Sequence, residues 1–290
     1  MDARIANRDR LVMQGVMGQI KHPMMKELPF RIDCDGVGHI IPNTAAITYN
    51  VKIGDSVYGW ECDHVEPGVS ITNPNSKKEN DSLNMLSCVG NVATVVTGDA
   101  KGEKGFVTGT HGGVEHLLIY FPQSTIEKLT YDDKILVRAF GQGMKIEGFE
   151  KTVYALNLDP AVFDRMGIKA ENGKLIVPVA GKVPAYLMGS GYGEASSEHG
   201  DYDIMTQDWE EIKRCKLDHL RFGDFVLLEN CDNAYGRGYL TGARTIGVIV
   251  HSDCIRKGHG PGVTALLTSR TPVIEGVISE HANLADIMGV

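Results

Sequence analysis

The stretch from Gly98 to Phe121 places the strongest constraint on the fold of this chain. Its first half contains glycine-rich polar turns around a short apolar run. Its second half is a longer apolar run, Val114 to Phe121, which follows the pair Gly112-Gly113. Glycine adopts the backbone conformations that tight turns need, and short apolar runs between turns are typical of strands. The segment therefore predicts strands joined by tight turns in a β-rich fold.

A similar sequence pattern, a turn followed by a β-prone run, occurs at 53–58, more loosely at 132–137, and at 222–228. The chain also has 34 glycines without a collagen-like period, a composition typical of barrels and sandwiches. We therefore predict a mainly β protein with small SH3-like β-barrel parts and a few short helices. A weak change of pattern near residue 150 predicts two intertwined β-rich domains: residues 1–150 contain the barrel, and residues 151–290 carry the short helices.

Helix signals are few. Asp159-Pro160 supplies an N-cap and a proline at the first helical position, and Asp208 begins a capping box. A last helical turn is predicted over 283–288. Residues 72–84 are the most polar stretch and are predicted to form an exposed loop, and a second long loop is predicted over 230–244.

Charge and cysteine usage exclude several classes of protein. The net charge of −8 argues against a nucleic-acid binder, and no apolar run is long enough to span a bilayer. The six cysteines form no C-x-x-C pair, so no zinc-ribbon or thioredoxin-type motif is present. The charged N-terminus does not resemble a signal peptide. We expect a cytoplasmic homo-oligomer that binds a small molecule and neither nucleic acid nor membrane.

The first candidate site is the segment from Asp63 to Gly68. If this segment is extended, His64 and Glu66 share one face and Asp63 faces away. A histidine and a carboxylate on one face can be neighbouring metal ligands or an acid–base pair. Alternatively, these polar residues only cap a turn at the end of a strand.

The second candidate site is the segment from His111 to His116, around the Gly112-Gly113 turn. Strand alternation places Glu115 and His116 on opposite faces. The turn can bring His111 beside either of them, but a regular strand does not let all three converge. A divalent metal held by His111 with His116, or by His111 with Glu115, is feasible, although the spacing matches no standard metal motif.

The third candidate site combines His251 and Asp253, at the end of a predicted strand, with His259 in a Gly-His-Gly-Pro-Gly loop. Such a loop lets backbone N–H groups approach a ligand closely, and it is also compatible with a purely structural turn. The fourth site places Asp232 and Asn233 close to Arg237, an arginine flanked by glycines. This combination suits recognition of a carboxylate or phosphate, or forms an ordinary surface turn.

Two resemblances add to this interpretation. Residues 95–107 resemble the KOW-type motif of ribosomal proteins and transcription factors, which implies part of an SH3-like barrel. The strings at 63–70, 111–116 and 258–262 resemble an uncharacterised family of bacterial and archaeal proteins known from structural genomics. That resemblance implies a mainly β, multi-part fold and assigns no activity.

Together the four clusters favour an enzyme that depends on a divalent metal ion, a hydrolase of a small polar metabolite with an amide, lactam or carboxylate group. The alternatives are a non-catalytic barrel that binds a small anion, a subunit of an assembly, and an RNA-associated barrel. The predicted catalytic residues are Asp63, His64, Glu66 and Glu115. The predicted metal ligands are His111 and His116. The predicted substrate-binding residues are Asp232, Asn233, Arg237, His251, Asp253 and His259.

Overall fold

The computed structural model describes residues 1–23, 30–42, 44 and 46–290. Its α-helices are α1 (Lys77–Leu86), α2 (Gln123–Ile126), α3 (Pro160–Arg165), α4 (Trp209–Arg214) and α5 (Leu284–Met288). Short 3-10 turns cover Arg8–Arg10 and Ala185–Leu187. None of the helices in these ranges is long and apolar enough to cross a membrane.

The strands of the first half are β1 (Gln14–Ile20), β2 (Arg31–Ile32), β3 (Gly38–His39), β4 (Ile47–Thr48), β5 (Gly68–Thr72), β6 (Val92–Val95), β7 (Lys104–His111), β8 (His116–Tyr120) and β9 (Lys134–Ala139). Those of the second half are β10 (Tyr154–Ala155), β11 (Lys169–Glu171), β12 (Lys174–Val179), β13 (Gly181–Pro184), β14 (Tyr202–Asp203), β15 (Phe225–Asp232), β16 (Gly238–His251), β17 (Gly262–Ser269) and β18 (Ile274–Ile278). The predicted mainly β fold is confirmed.

The first sheet closes into a six-stranded barrel. The order of this sheet is β1-β9-β6-β7-β8-β5-β4, and β1 also pairs with β5, with Ile20 opposite Ile71, so β4 lies outside the ring of six. Closure leaves no exposed strand edge within the ring. The interior is apolar, with side chains such as Val107 and Ile135 buried in one cluster. The KOW-like segment forms the β6–β7 hairpin, in which Val92 pairs with Phe106.

The second sheet has the order β10-β17-β16-β15-β13, and β14 also pairs with β17. The predicted loop over 230–244 is wrong for most of its length, because β15 and β16 form one long hairpin. Cys231 pairs with Tyr239, and the ladder resumes beyond an irregularity after Glu229. Two smaller sheets complete the fold: β11-β12-β18 and β2-β3.

The barrel and the second sheet pack through β7 and β17. The backbone N–H of Thr110 donates to Oγ1 of Thr264, and this hydroxyl donates to the carbonyl oxygen of Thr110. Phe106 and Leu118 of the barrel share a buried cluster with Val250 of the second sheet. This packing places the end of β7, at His111, beside the end of β16. The division of the chain at residue 150 stays a prediction.

The helix predictions differ in outcome. Asp159 caps α3 through a hydrogen bond from the N–H of Ala161, and Asp208 caps the short helix α4, as predicted. The predicted loop over 72–84 is wrong, because most of it belongs to α1. Ser76 accepts the N–H of Glu79 at its N-terminus, and Leu83 is fully buried. Most of the helix is polar and exposed, and only one narrow stripe is apolar, so its composition resembles that of a loop.

Candidate metal site

A polar cavity of about 330 Å³ lies where the ends of β7, β14 and β16 meet. The turns predicted around 63–66, 111–116 and 251–259 each contribute to it. The predicted site residues of these turns that line the cavity are Asp63, His64, His111, Glu115 and His259. The fold therefore brings together three segments that are far apart in the sequence.

Three groups of side chains at this cavity can hold a metal ion. In each group the donor atoms lie within 4.8 Å of one another. The groups are His64, Asp203 and His251; His111, Asp201 and His251; and His64, Cys254 and His259. The first two combine two histidines with one carboxylate, a donor set that suits zinc, iron and related ions.

Three buried histidines of these donor groups are held in similar ways. His64 Nδ1 lies 2.8 Å from Oδ1 of Asp63, and His111 Nδ1 lies 2.5 Å from Oε1 of Glu66. His251 Nδ1 lies 2.9 Å from the carbonyl oxygen of Ser252. In metal sites this second contact of the ring fixes its orientation and tautomer and leaves the other nitrogen for the ion. Each ring therefore has its Nε2 available as a ligand.

Asp201 and His251 form the centre of the cluster. Oδ2 of Asp201 lies 2.7 Å from Nε2 of His251, while Oδ1 accepts the backbone N–H of Gly112 at 2.7 Å. Neither Oδ2 of Asp201 nor Nε2 of His251 has a hydrogen-bond partner with acceptable geometry within the described ranges. Buried polar atoms normally have such partners, so these two atoms point to a missing ligand.

Glycine makes the close approach of these side chains possible. Gly262, the last residue of the Gly-His-Gly-Pro-Gly loop, lies directly beside them. A Cβ atom at this position would collide with Oδ2 of Asp201 and with the ring of His251. The space that the missing side chain of Gly262 leaves is therefore occupied by Asp201 and His251.

The electrostatics of the cluster favour a cation. Burial raises the pKa of the Asp203 carboxyl, but the neighbouring rings of His251, His259 and His64 outweigh burial and hold this pKa well below its usual range. Burial lowers the pKa of His251, yet Asp201 and Asp203 raise it well above its ordinary value. Buried carboxylates that stay ionised need a positive partner, which is either an imidazolium or a metal ion.

Positive φ angles explain where the predicted geometry fails. His64 has φ of 58°, so residues 63–66 are not extended, and Asp63 contacts His64 instead of facing away. Glu115 has φ of 56° and belongs to the turn, so β8 begins at His116 rather than Val114. Strand alternation does not apply to residues in this conformation.

His111 and His116 pair across the hairpin, and both turn Nδ1 toward the same carboxylate, Glu66. Burial raises the pKa of Glu66, but His116 and His111 together hold it well below its usual range. Ser70 also donates its hydroxyl to this carboxylate. His111 belongs to a donor group, whereas His116 belongs to none of the three found among the described residues. Glu66 therefore holds the ring of His111 through Nδ1, and His116 contacts the same carboxylate.

Glu115 lines the cavity wall, where its Oε2 lies 3.3 Å from Nδ1 of His199. The neighbouring ring of His199 lowers the pKa of Glu115, and Glu115 raises the pKa of His199. The result is a half-buried ion pair beside the donor groups.

The predicted substrate-binding residues are divided. Arg237 lines the cavity, and its guanidinium donates to the carbonyl oxygens of Asp201 and His199, at 2.5 and 2.6 Å. It therefore holds in place the segment that carries Asp201. Asp232, Asn233 and Asp253 are not brought to the cavity. Asp232 pairs with Arg270, Asn233 binds Tyr202 inside the second sheet, and Asp253 accepts the hydroxyl of Thr206.

Sequence reasoning missed several residues at the cavity: Arg31, His199, Asp201, Asp203 and Arg256. A signal was present in His-Gly-Asp-Tyr-Asp, residues 199–203. Two aspartates at a spacing of two residues share one face of a strand. The strand is only two residues long and follows an irregular segment, so its register is not readable from the sequence alone.

Comparisons with known proteins identify the family of the chain. The chain has 46% sequence identity to the protein in the solved structure "Crystal structure of TM1086", with a TM-score of 0.92 and coverage of 98% of both chains. No protein with a curated description matches. Residues 30–164 match the N-terminal model, and residues 165–288 the C-terminal model, of the domain of unknown function DUF4438. The chain therefore belongs to the DUF4438 family, as its resemblance to an uncharacterised structural-genomics family indicated.

Proposed function

We propose that this protein is a hydrolase that depends on a divalent metal ion and acts on a small polar metabolite with an amide, lactam or carboxylate group. The observation that carries this proposal is the group His111, Asp201 and His251, whose donor atoms converge beside an open polar cavity. Catalytic sites with three protein ligands leave a position on the ion for water or substrate.

The residues behind the ligands support this assignment. Glu66 and the carbonyl oxygen of Ser252 hold the rings of His111 and His251 in place, and Arg237 holds the backbone of Asp201. Contacts of this kind are regular features of metal centres, where they fix the orientation of the ligands. A bound ion would lower the pKa of water and polarise a carbonyl group.

The cavity also offers groups for the other steps of a hydrolysis. Glu115 is the carboxylate on the wall that can accept a proton from the attacking water, and His199 orients it. Arg31 and Arg256 line the same cavity. Guanidinium groups bind carboxylates with paired hydrogen bonds. Nε of Arg31 already lies 3.0 Å from Oδ2 of Asp63, so Arg256 is the residue that favours a substrate with a carboxylate.

The experiment compares metal content and hydrolysis in the same preparations. Purified protein is stripped with a chelator, reloaded with zinc or manganese, and tested against small amides, lactams and carboxylate esters. We expect the loaded protein to hold metal and to hydrolyse at least one class, and the stripped protein to be inactive. His251→Ala should lose both properties. His281→Ala, at a residue whose side chain is 89% exposed, is the matched control.

A second candidate function is a non-catalytic binder of small anions. Its support is the presence of three arginines, Arg31, Arg237 and Arg256, at one cavity. This alternative expects carboxylate binding that is unchanged by chelation and by His251→Ala. Metal-free protein that binds carboxylates with full affinity, together with absence of hydrolysis, would favour it over the hydrolase.

A further inference from the structure

Asp203 lies between two separate sets of histidine nitrogens. Its Oδ1 lies 3.4 Å from Nε2 of His251. Its Oδ2 lies 2.9 Å from Nδ1 of His259 and 3.7 Å from Nε2 of His64. The side chain is almost completely buried and is carried by β14, which pairs Asp203 with Gly262 of β17. The two oxygens of one carboxylate therefore face two different donor groups.

The second of these groups has the dimensions of a coordination sphere. Nε2 of His64 and Nδ1 of His259 are 3.2 Å apart, which completes a triangle with Oδ2 of Asp203. Ligand bonds of about 2.0–2.1 Å in tetrahedral geometry separate the ligand atoms by roughly 3.3 Å. The sides of this triangle lie close to that separation. Cys254 extends the group, since its thiol is within reach of both histidines.

The two groups use different atoms. His111, Asp201 and His251 form the group on the side of Oδ1, where the orphaned atoms Oδ2 of Asp201 and Nε2 of His251 lie. His64 and His259 form the group on the side of Oδ2. His251 and His259 approach opposite oxygens of the same carboxylate, and none of the three donor groups found among the described residues contains both of them.

We propose that the centre binds two divalent cations of the zinc, manganese and iron class, bridged by the carboxylate of Asp203. The first ion is held by His111, Asp201 and His251, and the second by His64 and His259, with Cys254 nearby. Ions in two-metal sites lie about 3.5–4 Å apart, a separation that a bridging carboxylate can span. This inference rests on the metal centre of the proposed function and adds a second subsite to it.

The test counts manganese and measures its magnetic coupling. Stripped full-length protein is reloaded with Mn²⁺, passed through a desalting column, and examined by elemental analysis and electron paramagnetic resonance. We expect about two ions per chain and a spin-coupled spectrum. His259→Ala should retain about one ion and give the spectrum of an isolated ion. His259 is partly exposed, so this variant is suited to fold, and circular dichroism checks that it does.

Asp203→Asn provides an independent variant, because the amide keeps the shape but cannot bridge two ions as a carboxylate does. It should abolish spin coupling, whereas His281→Ala should leave the count and the spectrum unchanged. A wild-type protein with about one ion and an uncoupled spectrum would overturn the second subsite and leave the proposed function standing. Absence of metal would overturn both. Two ions that persist in His259→Ala would place the second ion elsewhere and overturn the bridge.

Discussion

Nε2 of His251 lies 2.7 Å from Oδ2 of Asp201, yet the contact lacks the geometry of a hydrogen bond. Both atoms are buried, and both face the same cluster of nitrogens and carboxylates. A proton shared between them would need a better alignment than the fold provides. A metal ion needs no such alignment, because it can bind a lone pair of Oδ2 of Asp201 and the lone pair of Nε2 of His251 at the same time.

Gly262→Ala should disrupt the centre without touching a ligand. The added methyl group collides with Asp201 and with the His251 ring, so one of them must move. We expect metal affinity to fall by at least about tenfold and stability by about 1–3 kcal/mol. Competition with a fluorescent chelator measures the first quantity, and urea unfolding the second. Gly238→Ala is the control, since a Cβ atom there meets nothing within 4 Å. Equal affinities in the two variants would contradict the proposed ligand positions.

Glu66→Gln should weaken metal binding although Glu66 itself is not proposed as a ligand. The rings of His111 and His116 both contact Oε1 of Glu66, and the hydroxyl of Ser70 donates to Oε2. The amide is neutral and has only one oxygen, so the rings meet a weaker acceptor or the Ser70 hydroxyl loses its acceptor. Loss of such a supporting contact typically lowers metal affinity about 10- to 100-fold. The same chelator competition measures this change, and Glu61→Gln, at an exposed position, is the control. Unchanged affinity in Glu66→Gln would mean that His111 is not a ligand.

Arg256→Ala should weaken substrate binding and leave the metal in place. Arg256 lines the cavity and meets the metal cluster through its backbone: its N–H donates to Sγ of Cys254, and its carbonyl oxygen accepts the N–H of His259. A charge-assisted hydrogen bond contributes about 1.5–3 kcal/mol, so affinity for a small dicarboxylate such as succinate should fall about 10- to 100-fold. Calorimetry on metal-loaded protein measures it, with the exposed Arg138→Ala as the control. A variant that loses its metal instead would show that Arg256 is structural.

Ser76→Ala tests the helix that sequence analysis missed. The hydroxyl of Ser76 accepts the N–H of Glu79 at the start of α1, and removal of such a cap costs about 1 kcal/mol. Urea unfolding measures the loss. Ser82→Ala, on the exposed face of the same helix, should be neutral or slightly stabilising, because alanine has the higher helix propensity. If both variants lost the same stability, the cap would not be the cause.

The fold was largely predictable because turns and strands follow local rules. Glycine turns and apolar runs predicted the barrel hairpins, and Asp159 predicted a helix start. The signal for α1 was also present, since Ser76 and Glu79 have the spacing of a capping box. Its polar composition favoured the wrong interpretation.

The candidate site was predictable only in part. His111 and His259 were recognised because they stand beside glycine turns, and His64 because a carboxylate follows it by two residues, but Asp201 and Asp203 were not recognised. β14 contains Asp203 but begins after Asp201, and its partner β17 is distant in sequence, so no local pattern reveals that the two carboxylates lie together. Strand alternation also fails to predict the direction of side chains at residues in the left-handed conformation, such as His64. Convergence of several loops is a property of the tertiary fold.

The most direct test of the central claim is an anomalous diffraction measurement on crystals of protein loaded with zinc or manganese. Data collected on both sides of the metal's absorption edge locate the ion without any assumption about its ligands. We expect an anomalous peak within bonding distance of Nε2 of His251, Oδ2 of Asp201 and a ring nitrogen of His111. A metal-loaded crystal with no peak at these three atoms, or with its peak on surface side chains, would contradict it.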